Sequence, residues 1–204
     1  MIVIIDFGSQ FNQLIARRVR ECRVYCQIEP PTVTVDEIRS LKPEGIILSG
    51  GPASIYAKDS PRLDTGIFDL GIPVLGICYG MHFMVDALGG NVKKAEKREY
   101  GFAALSAKAD KDLFTGIDKE TVTWMSHGDS IEALPEGFSV TASTANTPVA
   151  AMADRRRKFF GVQFHPEVEH TVKGRKMIRN FLFDICGCKA SWTMKSFARD
   201  TISQ

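Results

Sequence analysis

The sequence predicts an α/β protein with a mostly parallel central sheet, helices on both faces, and antiparallel β hairpins in its second half. Two observations carry this expectation. In the first half, short unbroken apolar runs alternate with stretches of helical spacing, the rhythm of strands buried on both faces and joined by crossover helices. From Val92 to Phe164 the segments are short, β-rich and broken by turns such as Leu134-Pro-Glu-Gly137, which suits hairpins that extend or flank the main sheet.

Each element has a local reason. Ile2 to Ile5 is a continuous apolar run, a strand buried on two sides. Gln10 to Arg20 carries Leu14, Ile15 and Val19 at helical spacing, and Val24 to Ile28 returns to strand. Thr34 can cap a short helix whose first turn holds Asp36 and Glu37, where negative charge meets the positive end of the helix dipole. Gly45 to Leu48 is a third strand. Ser60-Pro61 reads as a cap followed by a first-turn proline, starting a helix to about Leu70 that stops at Gly71. Pro73 to Ile77 is a fourth strand, and Tyr79 to Leu88 a helix closed by Gly89-Gly90. A last helix is expected from about Val172 to Ile185.

Bulk properties narrow the function. A chain of 204 residues, 44% of them hydrophobic, can bury one sizeable core without staples. Charged residues make up 25% and the net charge is +2, so electrostatics makes no case for a nucleic-acid or membrane partner. The basic cluster Arg155 to Lys158 precedes the apolar Phe159 to Val162 and reads as a solvated turn before a strand. The apolar start ends at Asp6, too short for a signal peptide. Five cysteines form no pairing pattern. Cys22 with Cys26, and Cys186 with Cys188, lack the second half-site a zinc site needs, so no metal is expected. Reduced thiols in a cytoplasmic protein are the expectation.

The most informative stretch is Val74-Leu-Gly-Ile-Cys78-Tyr-Gly80. An apolar strand ends in Gly-x-Cys-x-Gly and a helix begins at once, the pattern of a nucleophile elbow with cysteine as the nucleophile. The helix start offers unpaired N–H groups to an oxyanion, and its dipole favours a thiolate at Cys78. Taken alone, the same pattern also fits a buried cysteine at a glycine-rich strand end. A thiol nucleophile needs a base, and the base needs an orienting partner. In Gly161-Val-Gln-Phe-His165-Pro-Glu167, Glu167 lies two positions after His165, so the carboxylate can stand behind the imidazole. A second oxyanion donor is available from the glycine turn Ser49-Gly-Gly-Pro52, with the amide of Gly51 the candidate beside that of Tyr79.

With these residues in hand, the chain resembles the class I, triad-type glutamine amidotransferases. Gly76-Ile-Cys78-Tyr-Gly-Met81 and Phe164-His-Pro-Glu167 match the class. Asp6-Phe-Gly-Ser-Gln10, Gln13 to Arg18, Arg98-Glu-Tyr-Gly101, Met125-Ser-His-Gly-Asp129 and the tail Cys186-Gly-Cys188 with Trp192-Thr-Met194 are similar to the glutaminase domains of GMP synthases. The resemblance spans essentially the whole chain and implies a flavodoxin-like fold. It also implies a γ-glutamyl thioester on Cys78, with His165 as acid and base and Glu167 orienting it. Substrate glutamine would meet His82, Ser126, His127, Gly128 and Asp129. The ammonia would serve the amination of XMP to GMP in an ATP pyrophosphatase domain of the same parent chain. That domain would bring ATP and magnesium, the glutaminase domain none, and the full-length enzyme would be a homodimer. Residues 1–188 would form the amidotransferase domain and 189–204 a connector. One departure stands out: the family usually has glutamine four residues after the nucleophile, where this chain has His82, so substrate contacts there are in doubt. Two rival readings fit the same elbow: an amidase of this fold acting on another amide, and a binding module whose glutamine site has decayed at His82.

Overall fold

Strand β1, Ile2–Ile5, is buried along its whole length, as its unbroken apolar run requires. The computed structural model describes residues 1–108 and 110–193. Helix α1 follows at Asn12–Glu21, β2 at Cys26–Glu29, α2 at Val35–Leu41 and β3 at Gly45–Leu48. Strand β4, Val74–Ile77, runs straight into helix α3, Tyr79–Ala87. The second half holds β5 at Asn91–Ala107, β6 at Glu120–Ala133, β7 at Ser139–Ser143, β8 at Ala151–Asp154 and β9 at Phe159–Val162. Helix α4, Gly174–Asn180, continues into a π-helical turn at Phe181–Ile185.

Among the described residues these nine strands form one sheet in the order β2-β1-β3-β4-β9-β8-β7-β5-β6. Strands β2, β1, β3, β4 and β9 are mutually parallel, and the pairs from β9 outward through β6 are antiparallel. The hairpins therefore extend the parallel sheet. Strand alternation divides the core in two: Ile2, Ile4, Ile47, Leu75 and Ile77 pack with Ile15, Val19, Met177 and Ile178 of α1 and α4 on one face. Val3, Ile5, Ile46, Leu48 and Val74 pack with Ile38 of α2 and with Met81, Phe83, Met84 and Val85 of α3 on the other. Helix α2 carries the expected cap in full, a box in which Thr34 Oγ1 accepts from the Glu37 amide while Glu37 accepts from the Thr34 amide.

Three elements differ from the expectation. No α-helix starts at Ser60-Pro61; instead a 3₁₀ turn spans Thr65–Asp69, capped by Asp64 Oδ1 accepting from the Gly66 amide at 2.9 Å. The Ser60 hydroxyl is engaged elsewhere, donating to Ile55 O, while Pro61 O accepts from the Tyr79 hydroxyl at 2.6 Å, so the segment is held extended. Strands β5 and β6 are long, with 17 and 14 residues in place of short segments. Their charged, exposed positions had obscured a two-stranded ribbon. The strand before His165 ends at Val162, after which Gln163 and His165 hand their backbone N–H groups to Ala150 O and Trp124 O.

The cluster Arg155 to Lys158 is the turn between β8 and β9, with Arg155 paired to Asp112 and Arg157 to Asp154 at 2.6 Å each. All five cysteines are free thiols. Of the expected connector, Trp192 N donates to Arg23 O at 2.8 Å, and residues 194–204 lie outside the described residues. Among the described residues no helix is long and apolar enough to cross a membrane.

Candidate active site

The sheet register brings the candidate nucleophile and base together. Strands β4 and β9 are parallel neighbours with Ile77 opposite Val162, and the Cys78 amide donates to Val162 O at 2.8 Å. Cys78 and His165 therefore emerge side by side at the carboxyl ends of adjacent strands, where open α/β sheets hold their ligands. Cys78 sits between β4 and α3 with φ 51° and ψ −107°, a conformation costly for any residue with a Cβ. The two glycines of the motif permit it. A Cβ on Gly76 would lie 2.7 Å from Gly80 O, and one on Gly80 would collide with the Leu48 carbonyl of β3. The tight strand–turn–helix is thus written into Gly-x-Cys-x-Gly.

His165 Nδ1 and Glu167 Oε1 are 2.8 Å apart, so the other ring nitrogen is left for Cys78. Both residues are buried, Glu167 completely. Burial pulls the His165 pKa down, but hydrogen bonding to Cys78 and Glu167 and the charges of both outweigh it, and the imidazole is raised to about 10. His165 therefore carries a proton at neutral pH. Several contacts fix this pair. Thr171 Oγ1 donates to His165 O at 2.6 Å, Arg18 Nε donates to Glu167 O at 2.9 Å, and the Phe11 ring meets the imidazole edge to face. Glu167 Oε2 has no protein partner among the described residues.

A cavity of about 610 Å³ opens from Cys78. Its lining includes all the expected substrate residues, His82, Ser126, His127, Gly128 and Asp129, together with Gly51 and Tyr79. Among the described residues, the backbone N–H groups of Gly51 and Tyr79 have no acceptor. Ser126 O lies 3.7 Å from Cys78 Sγ. Asp129 reaches across to the loop after β3, where Ser54 Oγ donates to its Oδ2 at 2.6 Å. Burial and a hydrogen bond to Asp129 push the Tyr56 hydroxyl up to about 12. A smaller space of about 300 Å³ flanks Cys78 on the His165 side, between Gly8–Phe11 and Trp124.

Two of the expected substrate residues are also bound within the protein, and one residue of the site was missed. His82 lines the cavity, but its Nε2 is held 2.6 Å from Gln163 Oε1. Burial, only partly opposed by that bond, drives its pKa down to about 4, so His82 does not gain a proton near pH 6.5. His127 also touches the cavity, yet its ring is committed to the protein: Nδ1 is 2.8 Å from Asp129 O and Nε2 is 3.2 Å from Thr147 Oγ1. Gln163, fully buried, was not singled out from the sequence, although its amide also reaches Cys78 Sγ at 3.8 Å. The signal was present: Gln163 lies two residues before His165 in the stretch Gly161 to Glu167 that carries the base.

The same residues place the chain among known proteins. The family model for class I glutamine amidotransferases matches residues 3–185. The chain belongs to the class I glutamine amidotransferase family. Among the amidotransferase's relatives is the glutamine-hydrolysing GMP synthase of Heliobacterium modesticaldum, 54% identical over 99% of this chain and 39% of that protein. The enzyme of the same description from Geobacillus kaustophilus is 52% identical over 99% of this chain and 40% of its own length. The amidotransferase thus spans about two fifths of these curated relatives. The crystal structure of a putative GMP synthase subunit from Thermoplasma acidophilum superposes with a TM-score of 0.82 at 32% identity, covering 100% of this chain and 97% of that one. A glutamine amidotransferase from Thermotoga maritima shares the fold, with a TM-score of 0.66 at 17% identity.

Proposed function

We propose that the protein hydrolyses glutamine to glutamate and ammonia through a cysteine thioester, and that the ammonia converts XMP to GMP on an ATP pyrophosphatase partner. The observation that carries this reading is the alignment of Cys78 at a strained elbow, His165 beside it, and buried Glu167 behind the imidazole. The thiolate of Cys78 attacks the side-chain amide carbon, and the oxyanion is received by the N–H groups of Gly51 and Tyr79. As the C–N bond breaks, the proton on His165 passes to the leaving nitrogen, which departs as ammonia. Water then attacks the thioester while His165 takes its proton, and collapse returns glutamate and the Cys78 thiolate. Glu167 holds the ring through both steps and stabilises its positive charge whenever it carries the proton.

No cofactor enters this chemistry; ATP and magnesium serve the partner. That partner is the remainder of a longer chain or a separate polypeptide. Similarity to the long GMP synthases supports the first arrangement. Similarity to the Thermoplasma acidophilum protein over 97% of that chain supports the second. The reading includes residues 1–188 as the amidotransferase unit, 189–204 as the connector toward the partner, a homodimeric complete enzyme, and a cytoplasmic location suited to five free thiols.

Glutamine hydrolysis by the wild-type chain and by Cys78→Ala tests this reading. The substitution abolishes ammonia release, and a glutamine-analogue electrophile labels Cys78 and none of Cys22, Cys26, Cys186 or Cys188. Substantial turnover by Cys78→Ala would overturn it.

A further inference from the structure

The wall of the cavity opposite α3 contains a cation that the catalytic chemistry leaves unused. On β5 and β6 the pairing passes from Lys94 opposite Asp129 to Glu99 opposite His127, so five steps along β5 match two along β6. The extra residues of β5 form a bulge or irregularity across from Gly128. Bulges of this kind re-aim side chains beside active sites. This one places Arg98 against Gly128: a Cβ there would lie 3.7 Å from Arg98 Nε, in ordinary van der Waals contact. Arg98 lines the cavity with Lys94, Cys78 and Asp129, and among the described residues it makes no ion pair or hydrogen bond. Its base is fixed by Glu99, whose carboxylate accepts from Thr144 and Thr147 and faces His127 Nε2 at 3.6 Å.

A cavity lined by a nucleophile, a carboxylate and two cations matches a free amino acid with a reactive side chain. We infer that Arg98 binds the α-carboxylate of glutamine and is the residue that selects free glutamine over glutamine whose carboxyl group is blocked. The inference rests on the proposed glutaminase activity. The guanidinium fork fits a carboxylate with two parallel N–H···O bonds, which a lysine does not reproduce. Lys94 adds charge, and Asp129 leaves the α-ammonium a counter-ion on the same wall.

The test measures binding, by calorimetry, of L-glutamine and L-glutamine α-amide to the Cys78→Ala protein, which does not turn over. Arg98→Met weakens glutamine about tenfold to a hundredfold and leaves the α-amide nearly unchanged, erasing the preference between them. Arg98→Lys restores only part of it. Lys97→Met, which removes one charge from the same bulge outside the cavity lining, keeps the preference. An Arg98→Met protein that still prefers glutamine, or an equal loss in Lys97→Met, would overturn the assignment. Absence of hydrolysis by wild type would instead count against the functional reading, since binding to the Cys78→Ala protein needs no turnover.

Discussion

Glu167 is a buried carboxylate whose one side-chain partner among the described residues is the imidazole of His165. A charge removed from water is stable only while a partner compensates it, and Glu167 helps hold the proton on His165. Because the folded pKa of His165, about 10, lies above its unfolded value, the stability this residue contributes is complete below pH 6.5 and is lost as pH rises through about 10. Glu167→Gln removes the attraction. The alkaline limb of the kcat/KM profile then moves to lower pH by at least about one unit, read from rates between pH 6 and 10.5. His82 has the opposite sign. Its folded pKa of about 4 lies below the unfolded one, so the stability held by the neutral ring is present above pH 6.5 and lost as pH falls toward 4. The difference amounts to about 3 kcal/mol. His82→Gln is therefore less sensitive to acid than wild type, as urea midpoints at pH 7 and pH 4.5 would show. The KM ratio for glutamine between the two proteins stays constant from pH 6 to 8.5, because His82 is neutral throughout. A ratio that widens toward pH 6 would contradict the buried position of this ring.

At the scale of elements, the turn at Cys78 stores strain on behalf of chemistry. A left-handed φ of 51° costs a residue with a side chain on the order of 1–3 kcal/mol, and glycine escapes it. Cys78→Gly accordingly unfolds at higher urea than Cys78→Ala, with both inactive. Equal midpoints would mean that the elbow is unstrained. This turn was legible in the sequence because two glycines at fixed spacing have few other uses at the junction of a strand and a helix. Strands β1, β3 and β4 were legible for a similar reason, being unbroken apolar runs with no competing pattern. The 3₁₀ turn was not, since local chemistry favoured a helix at Ser60-Pro61 and only the distant Tyr79 hydroxyl and Ile55 carbonyl decide otherwise. The commitment of His127 to Thr147 was equally hidden, because that contact spans 20 residues of chain.

At the scale of the molecule, the cavity is closed on one side by the loop after β3, which Ser54 and Tyr56 tie to Asp129. Ile55 and Leu63 anchor this loop in the core, so a partner that touches its Ser54-to-Tyr56 stretch bears directly on the wall that holds Asp129. Glutamine hydrolysis by this chain alone is expected to be slow and to rise when the proposed ATP pyrophosphatase partner and its nucleotides are added. Full-rate turnover unchanged by them would remove the case for such gating. The pairing of β4 with β9 has a consequence for biosynthesis. Cys78 leaves the ribosome 87 residues ahead of His165, and the whole antiparallel ribbon must be made before the two strands can meet. A nascent or prematurely terminated chain that stops short of Phe159 carries the thiol without its imidazole. Unfinished copies therefore lack the group that serves as acid and base in the proposed reaction.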